Sequence, residues 1–254
     1  MSNFVRVTLE GPLATLTFAR EKGLNILSSE VLTELDEAWG QIEAGGARAC
    51  VLHGDGKVFL AGADIKEMAQ LDPAGAVAFA QLGQRVFARI ENSSTVSIAA
   101  LHGAALGGGC ELALACDIRV AADPLKIGQP EVNLGLIPGF GGTQRLPRIV
   151  GEGRALQMIL TGEALSAQEA LAAGLVTKVA PPEQLVDAAK QIARTVAAKG
   201  PQAVAFAKHF VRQALGMSRE RGLAAEAVGF GETFKSGEAR EGMAAFLEKR
   251  AAKF

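Results

Sequence analysis

The sequence predicts an α/β fold with parallel strands, followed by a helical C-terminal region. Two observations carry this. The first half alternates short apolar, strand-like runs with longer runs of helical period. The last quarter is almost entirely helical in pattern and rich in Ala, the strongest helix former. With 254 residues the chain is long enough to bury a sizeable core, as one domain or as a domain plus a small appendage.

Taken in order, Phe4 to Leu9 and Leu13 to Phe18 alternate around Gly11-Pro12, which predicts a β-hairpin. Ser28 is an N-cap for a helix with Val31, Leu32, Leu35 and Trp39 on one face. Ala49 to His53 is a short apolar strand ending at Gly54-Asp55-Gly56. Pro73 opens a long helix through Ile90. Val96 to Leu101 is a buried strand, Leu106 to Ala115 a helix, Ile118 to Ala121 extended, and Leu175 to Val179 a last short strand. Helices are expected over Glu183–Ala198, Pro201–Leu215, Arg219–Phe234 and Glu238–Ala251. The expected organisation is a core over 1–195 and a helical region over 196–254, with a soft boundary between 195 and 200.

Net charge is −1, with Lys and Glu interspersed, so nothing points to a polyanion such as nucleic acid. The three cysteines, Cys50, Cys110 and Cys116, form no Cys-x-x-Cys pair, which fits a reducing cytoplasm better than a disulfide framework. Met1 to Val7 has no basic stretch followed by an apolar run, so no signal peptide is expected. Val96 to Leu106 is too short to cross a bilayer.

The chemistry concentrates at Gly103-Ala104-Ala105-Leu106-Gly107-Gly108-Gly109-Cys110-Glu111-Leu112, where an apolar strand runs into three glycines and then a helix. Helix N-termini offer unpaired N–H groups, and glycine lets a ligand approach them. Such a place stabilises a developing oxyanion. Glu111 follows Gly108 by three residues, a spacing that shares one helix face. Alone, the run reads equally as a tight strand-to-helix turn with a surface Glu. The second element, Leu60-Ala61-Gly62-Ala63-Asp64-Ile65-Lys66-Glu67-Met68, again combines small residues with a helix opener, Asp64. The third is Gln129-Pro130-Glu131, then Leu136-Ile137-Pro138-Gly139-Phe140-Gly141-Gly142-Thr143-Gln144-Arg145-Leu146. Glu131 stands among Ile127, Val132, Leu134 and Leu136, and an apolar setting raises a carboxyl pKa toward proton transfer. A lone Glu is also commonly just a solvated loop residue.

Other chemistries lack their residues. Gly107-x-Gly109 and Gly139-x-Gly141 miss the third glycine of the dinucleotide fingerprint, and there is no phosphate-loop Gly-Lys-Ser/Thr run. No Gly-x-Ser-x-Gly elbow exists. His53, His102 and His209 lie far apart without ligand spacing, and Cys110 has no His partner.

Together the three motifs resemble the crotonase, or enoyl-CoA hydratase/isomerase, family, and the resemblance continues through Glu241-Gly242-Met243-Ala244-Ala245-Phe246-Leu247-Glu248-Lys249-Arg250. It covers essentially the whole chain. It implies a crotonase-like spiral of ββα repeats with a helical C-terminal region that builds trimers, usually paired into hexamers. It implies that the N–H groups of Ala63 and Gly108 bind a thioester carbonyl, and that Glu111 and Glu131 flank a water, with Glu131 donating a proton to the α-carbon. Ala61, Ala63, Asp64, Ile65, Lys66, Gly108, Pro138 and Gly139 would line the coenzyme A thioester, with Lys22 and Leu24 edging its adenine end. No metal and no separate cofactor is implied, since coenzyme A is part of the substrate.

Keeping both glutamates favours a hydratase acting on 2-enoyl-CoA in fatty-acid or related acyl-CoA degradation. Family isomerases that only move a double bond commonly lose the carboxylate at the Glu111 position. Phe140, Leu60 and the Gly23-Leu24-Asn25-Ile26-Leu27 segment depart from the common pattern and bear on the acyl pocket. A Δ3,Δ2-enoyl-CoA isomerase, a hydratase for branched or cyclic enoyl-CoA, and a catalytically silent scaffold subunit are the competing readings.

Overall fold

The computed structural model describes residues 4–19, 24–214 and 216–254. Strands β1 (Val5–Glu10) and β2 (Leu13–Phe18) form the expected hairpin, paired antiparallel from Val5↔Phe18 to Glu10↔Leu13. Then β3 (Ala49–Gly54), β4 (Val96–Leu106), β5 (Ile118–Gly128) and β6 (Lys178–Ala180) add in sequence order, each parallel to its predecessor. Strands buried on both faces read as continuous apolar runs, as β3 and the first part of β4 do.

The two faces separate by strand alternation. Cys50, Leu52, Ala99 and Leu101 face the main core, with Leu32, Leu35 and Trp39 of α1 (Ser29–Ala44) and Val86, Phe87 and Ile90 of α3 (Pro73–Asn92). Ala49, Val51, Ile98, Ala100 and Val120 face the other way, against Leu185, Ala189 and Ala193 of α8 (Leu185–Ala197). Both long helices on the main face start where the sequence places them, the first at its expected cap. The Ser28 side chain accepts from the Val31 N–H, and Asp72 accepts from Gly75 just ahead of the helix that Pro73 opens.

The strands β4 and β5 run further than their apolar patterns predict. They pair from Ile98↔Ile118 to Leu101↔Ala121, shift register, and pair again from Gly103↔Leu125 to Leu106↔Gly128. Beyond the shift a second, shorter layer forms. Phe59 donates to His102 O and Leu60 to Ala104 O, while Leu106 donates to Leu60 O. Leu27 bridges Ala63, and Ile127 bridges Leu165. Each turn thus supplies two extended pieces and then a helix: α1 after 25–27, α2 (Ile65–Met68) and α3 after 59–63, α4 (Gly108–Ala115) after 103–106, and a 3-10 turn, Glu131–Leu134, after 125–128. This is the ββα repetition that the resemblance implies. Small residues such as Gly103, Ala104 and Ala105 carry no strand signal, so the second pieces are invisible to periodicity.

Helices α5 (Gly142–Val150), α6 (Glu152–Thr161) and α7 (Ala167–Ala172) follow, in a stretch for which the sequence pattern predicts no elements. The last strand begins later than the expected Leu175, because Leu175 and Val176 turn into the core first. The C-terminal helices α9 (Pro201–Gln213), α10 (Arg219–Thr233) and α11 (Gly237–Leu247) bury few whole residues, Gly229 of α10 and Ala245 of α11, while α9 is tied to the core by Lys208, whose side chain is 8% exposed and pairs with Asp117.

Candidate active site

The site forms where the second layer meets the start of α4. Gly107 has φ +51°, a conformation that costs an L side chain energy and suits glycine. A Cβ there would lie 3.2 Å from Glu131 Oε1 and 3.9 Å from Gly62 Cα. Three segments distant in sequence therefore converge: 62–63, 107–108 and the Glu131 turn. Leu27 ties two of them, bridging Ala63 with its backbone while its Cδ1 lies 3.1 Å from where a Gly108 Cβ would sit. The N–H groups of Ala63 and Gly108 have no acceptor among the described residues. At Ala63 both bonds of the bridge belong to its neighbours, Leu27 N–H to Gly62 O and Asp64 N–H to Leu27 O. At Gly108 the cause is its place as the first residue of a helix.

Asp64 caps α2, accepting from the Lys66 and Glu67 N–H groups. Glu67 in turn accepts from the Ser29 N–H and hydroxyl, fixing this strip to the start of α1. The Ala61 N–H donates to Asn25 O, so Leu24 lies beside the strip, 48% exposed. Ile65 and Lys66 are exposed, Ala61 and Gly139 half-buried, and Pro138 buried. Gly139 rests on α3, its carbonyl accepting from Gln84 at 2.8 Å. Lys22 lies outside the described residues.

Glu111 is 2% exposed. Its Oε1 accepts from the Phe140 and Gly142 N–H groups, both at 2.8 Å, and Oε2 has no protein donor among the described residues. Burial pushes its pKa up to about 7; the Gly142 N–H pulls it down, and the nearby Glu131 charge pushes it up again. The Glu131 carboxyl is also raised, chiefly by burial. Burial is the cause the sequence suggested, but only part of the apolar set around it is itself buried: Ile127 is fully buried and Val132 half-buried, while Leu134 and Leu136 are 56% and 45% exposed. Glu131 faces Gly107 and the fully buried Gln129, whose amide nitrogen, turned to the carboxylate, donates to its two oxygens at 2.9 and 3.2 Å. A Cβ on Gly142 would come within 3.0 Å of the Gln129 amide carbon, so Gln129 packs between the two carboxylates' supports.

Sequence reasoning gave no role to Gln129 or to the Phe140 and Gly142 N–H groups. Gly141 and Gly142 were the available signal, because two glycines ahead of a helix allow its N–H groups to close on a buried acceptor. Cys110 is fully buried and its thiol pKa is pushed up, first by burial and then by Glu111, which disfavours a thiolate beside the site. The arrangement can bind a carbonyl oxygen at two free N–H groups, next to two carboxyls whose pKa values burial raises, that of Glu111 to about 7.

Known proteins share this architecture along its length. The family described as enoyl-CoA hydratase/isomerase matches residues 8–254. The short-chain-enoyl-CoA hydratase of Clostridium acetobutylicum is 44% identical, covering 98% of this chain and 96% of that protein. The crotonyl-CoA hydratase of Syntrophomonas wolfei is 45% identical, covering 96% and 95%. The crystal structure of an enoyl-CoA hydratase from Bacillus anthracis superposes with a TM-score of 0.94 at 38% identity, covering 99% and 98% of the two chains. The chain belongs to the enoyl-CoA hydratase/isomerase family.

Proposed function

We propose that the protein is an enoyl-CoA hydratase, a hydro-lyase that adds water reversibly across the α,β double bond of a 2-enoyl-CoA to give the 3-hydroxyacyl-CoA. The observation that carries this is the retention of two carboxyls, the buried Glu111 and the half-buried Glu131, beside the free N–H groups of Ala63 and Gly108. The thioester oxygen accepts from those two N–H groups, which stabilise the negative charge that gathers on it as water attacks. Glu111, its Oε1 held by two N–H groups, takes the water proton through Oε2 while the water oxygen bonds to the β-carbon. Glu131 gives its proton to the α-carbon, and proton exchange between the pair and solvent resets the site. Ala61, Asp64, Ile65, Lys66, Pro138 and Gly139 line the thioester and the coenzyme A, and Leu24 edges its adenine end.

The two relatives named for short-chain and crotonyl substrates, and the ring of Phe140 closed onto Phe79 and Phe87, support a short acyl group. The functional assembly is a trimer or a pair of trimers. Outward apolar side chains on the C-terminal helices, including Val211, Val228, Phe230 and Phe246, support it, exposed by 67% to 83%. The setting is cytoplasmic acyl-CoA degradation by β-oxidation or a related route; among the described residues no helix is long and apolar enough to cross a membrane.

The test is a panel of 2-enoyl-CoA thioesters of increasing length, followed by loss of the enoyl thioester absorbance. Crotonyl-CoA should be consumed, and Glu131→Gln should slow it by at least about a hundredfold. Turnover of a 3-enoyl-CoA with none of the panel consumed would make the protein an isomerase instead. Full activity of Glu131→Gln would remove the acid/base assignment.

A further inference from the structure

Arg145 sits outside the pocket chemistry, yet its guanidinium closes a chain of contacts around Glu111. It is the fourth residue of α5, and its side chain folds back over that helix's own start. Nη1 donates to Phe140 O at 2.9 Å. A Cβ on Gly141, at φ +109°, would lie 2.4 Å from the same Nη1, so only glycine leaves room for the guanidinium there. The peptide unit between Phe140 and Gly141 is therefore pinned by its oxygen. The N–H groups on either side of it, Phe140 and Gly142, are the two that hold Glu111 Oε1.

The other edge of Arg145 is fixed in turn. Nε and Nη2 bind Glu91 Oε2 of α3 at 2.9 and 2.8 Å, with the Arg145 side chain only 12% exposed. Glu91 Oε1 takes Arg212 of α9 at 3.1 Å. Arg212 also donates at 3.0 Å to Ala115 O and Cys116 O, the carbonyls at the end of α4, and at 2.9 Å to Asp117. The helix that carries Glu111 is thus bolted at its far end by the same side chain that steadies the clamp on the Glu111 carboxylate.

We propose that Arg145 is a positioning residue for the Glu111 carboxylate, acting through the Phe140–Gly142 backbone, and that Glu91 and Arg212 hold it there so that seating of α9 and aim of Glu111 are linked. This rests on the hydratase reading for its kinetic readout. Neither Glu91 nor Arg212 touches the reacting atoms; Glu91 acts through Arg145, and Arg212 through Glu91 and through the end of α4. A guanidinium is required because one planar fork must reach a carbonyl on one side and a carboxylate on the other, which a lysine ammonium cannot do at once.

The test compares wild type with Arg145→Met, Arg145→Lys and Glu91→Gln, each in the full chain, by crotonyl-CoA hydration from pH 5.5 to 9 and by thermal midpoint. Arg89→Met is the control, an ion-paired arginine of the same α3 that bridges Asp36 and Glu43 away from Glu111. Arg145→Met should lower kcat about tenfold with KM within about twofold, because loosened aim costs rate more than binding. Its acid limb should move up by about half a pH unit, since both a nearby positive charge and the two N–H bonds that favour the ionised form are weakened. Arg145→Lys should return the limb to the wild-type pH but recover only part of kcat. Glu91→Gln should follow Arg145→Met in direction, and it supplies the same readout should that variant not fold.

Folded Arg145→Met with wild-type kcat and an unmoved limb overturns the proposal. So does a fall in kcat that tracks a fall in thermal midpoint with the limb unmoved, which is the signature of a purely structural arginine. The titration of the Glu111 carboxyl followed by carbon-13 NMR in wild type and Arg145→Met needs no turnover. An inactive wild type with a shifted Glu111 titration would sink the hydratase reading and leave the positioning intact.

Discussion

Glu111→Gln should cost activity and return stability, and the structure sets the scale of both. The wild-type carboxyl is raised from an ordinary 4.5 to about 7 by burial. The native state therefore holds this proton more tightly than the unfolded chain does. Between pH 4.5 and pH 7 the unfolded state releases it first, so folding stability contributed by this group is present in acid and is lost as pH rises. At about 1.4 kcal/mol per pH unit, an ionised Glu111 costs roughly 3 kcal/mol once the pH is above 7. Glutamine removes the charge, and its oxygen can keep both backbone bonds that Oε1 accepts from Phe140 and Gly142. Urea unfolding of wild type and Glu111→Gln, at one protein concentration and at pH 5 and pH 8.5, measures the effect. The variant should be the more stable protein at pH 8.5, and its advantage should widen by about 2 kcal/mol from the lower pH to the higher. Turnover should fall by at least about a hundredfold in the same samples. An advantage that is flat with pH, or a variant less stable than wild type at pH 8.5, would refute the claim that burial holds this carboxyl near neutrality.

Three further outcomes follow from the same geometry. Gly109→Ala would place a Cβ 2.4 Å from Leu60 O and 2.7 Å from Leu60 Cβ, prising α4 from the strip that carries Ala63; turnover should fall about a hundredfold and stability by about 1–3 kcal/mol, read by initial rates and urea unfolding. In wild type, kcat/KM should fall below an acid limb near pH 7, where Glu111 gains its proton; a limb at the ordinary carboxylate value would contradict its burial. Arg119 is 7% exposed and donates to the carbonyls of Ala113, Cys116 and Leu175, so Arg119→Met leaves buried acceptors unpaired. It should cost about 2–4 kcal/mol in chemical unfolding, with kcat of the folded fraction unchanged.

The elements that announced themselves in the sequence were those with strong local physics. The hairpin around Gly11-Pro12, the Ser28 cap and the apolar face through Trp39 stand where the pattern put them. So does the Gly107–Glu111 helix start, because glycine conformation and helix period are local properties. What stayed hidden is non-local. The second piece of β4 is mostly small residues, and the second pieces of β4 and β5 are held by pairing with distant segments, Leu60 on Ala105 and Leu165 on Ile127. The surroundings of Glu131 were legible only in part for the same reason: Leu134 and Leu136 are adjacent in sequence but exposed, while Gln129 and Gly107, not only the buried Ile127, complete its environment. Arg145 lay in full view within its motif, but its partners Glu91 and Arg212 are brought to it only by the fold.

The thin packing of α9, α10 and α11 against the rest of the chain gives dilution a particular meaning for this protein. A segment that buries so little of itself gains stability from whatever meets its outer surface, and that gain scales with the logarithm of partner concentration. In the proposed trimer that folding obeys mass action, and a midpoint temperature has meaning only with the protein concentration at which it is taken. Through Arg212 the same law reaches the far end of the helix that bears Glu111. Assays at nanomolar enzyme and structures at millimolar protein would then sample different populations of one molecule, and specific activity would be a function of how much enzyme is in the cuvette.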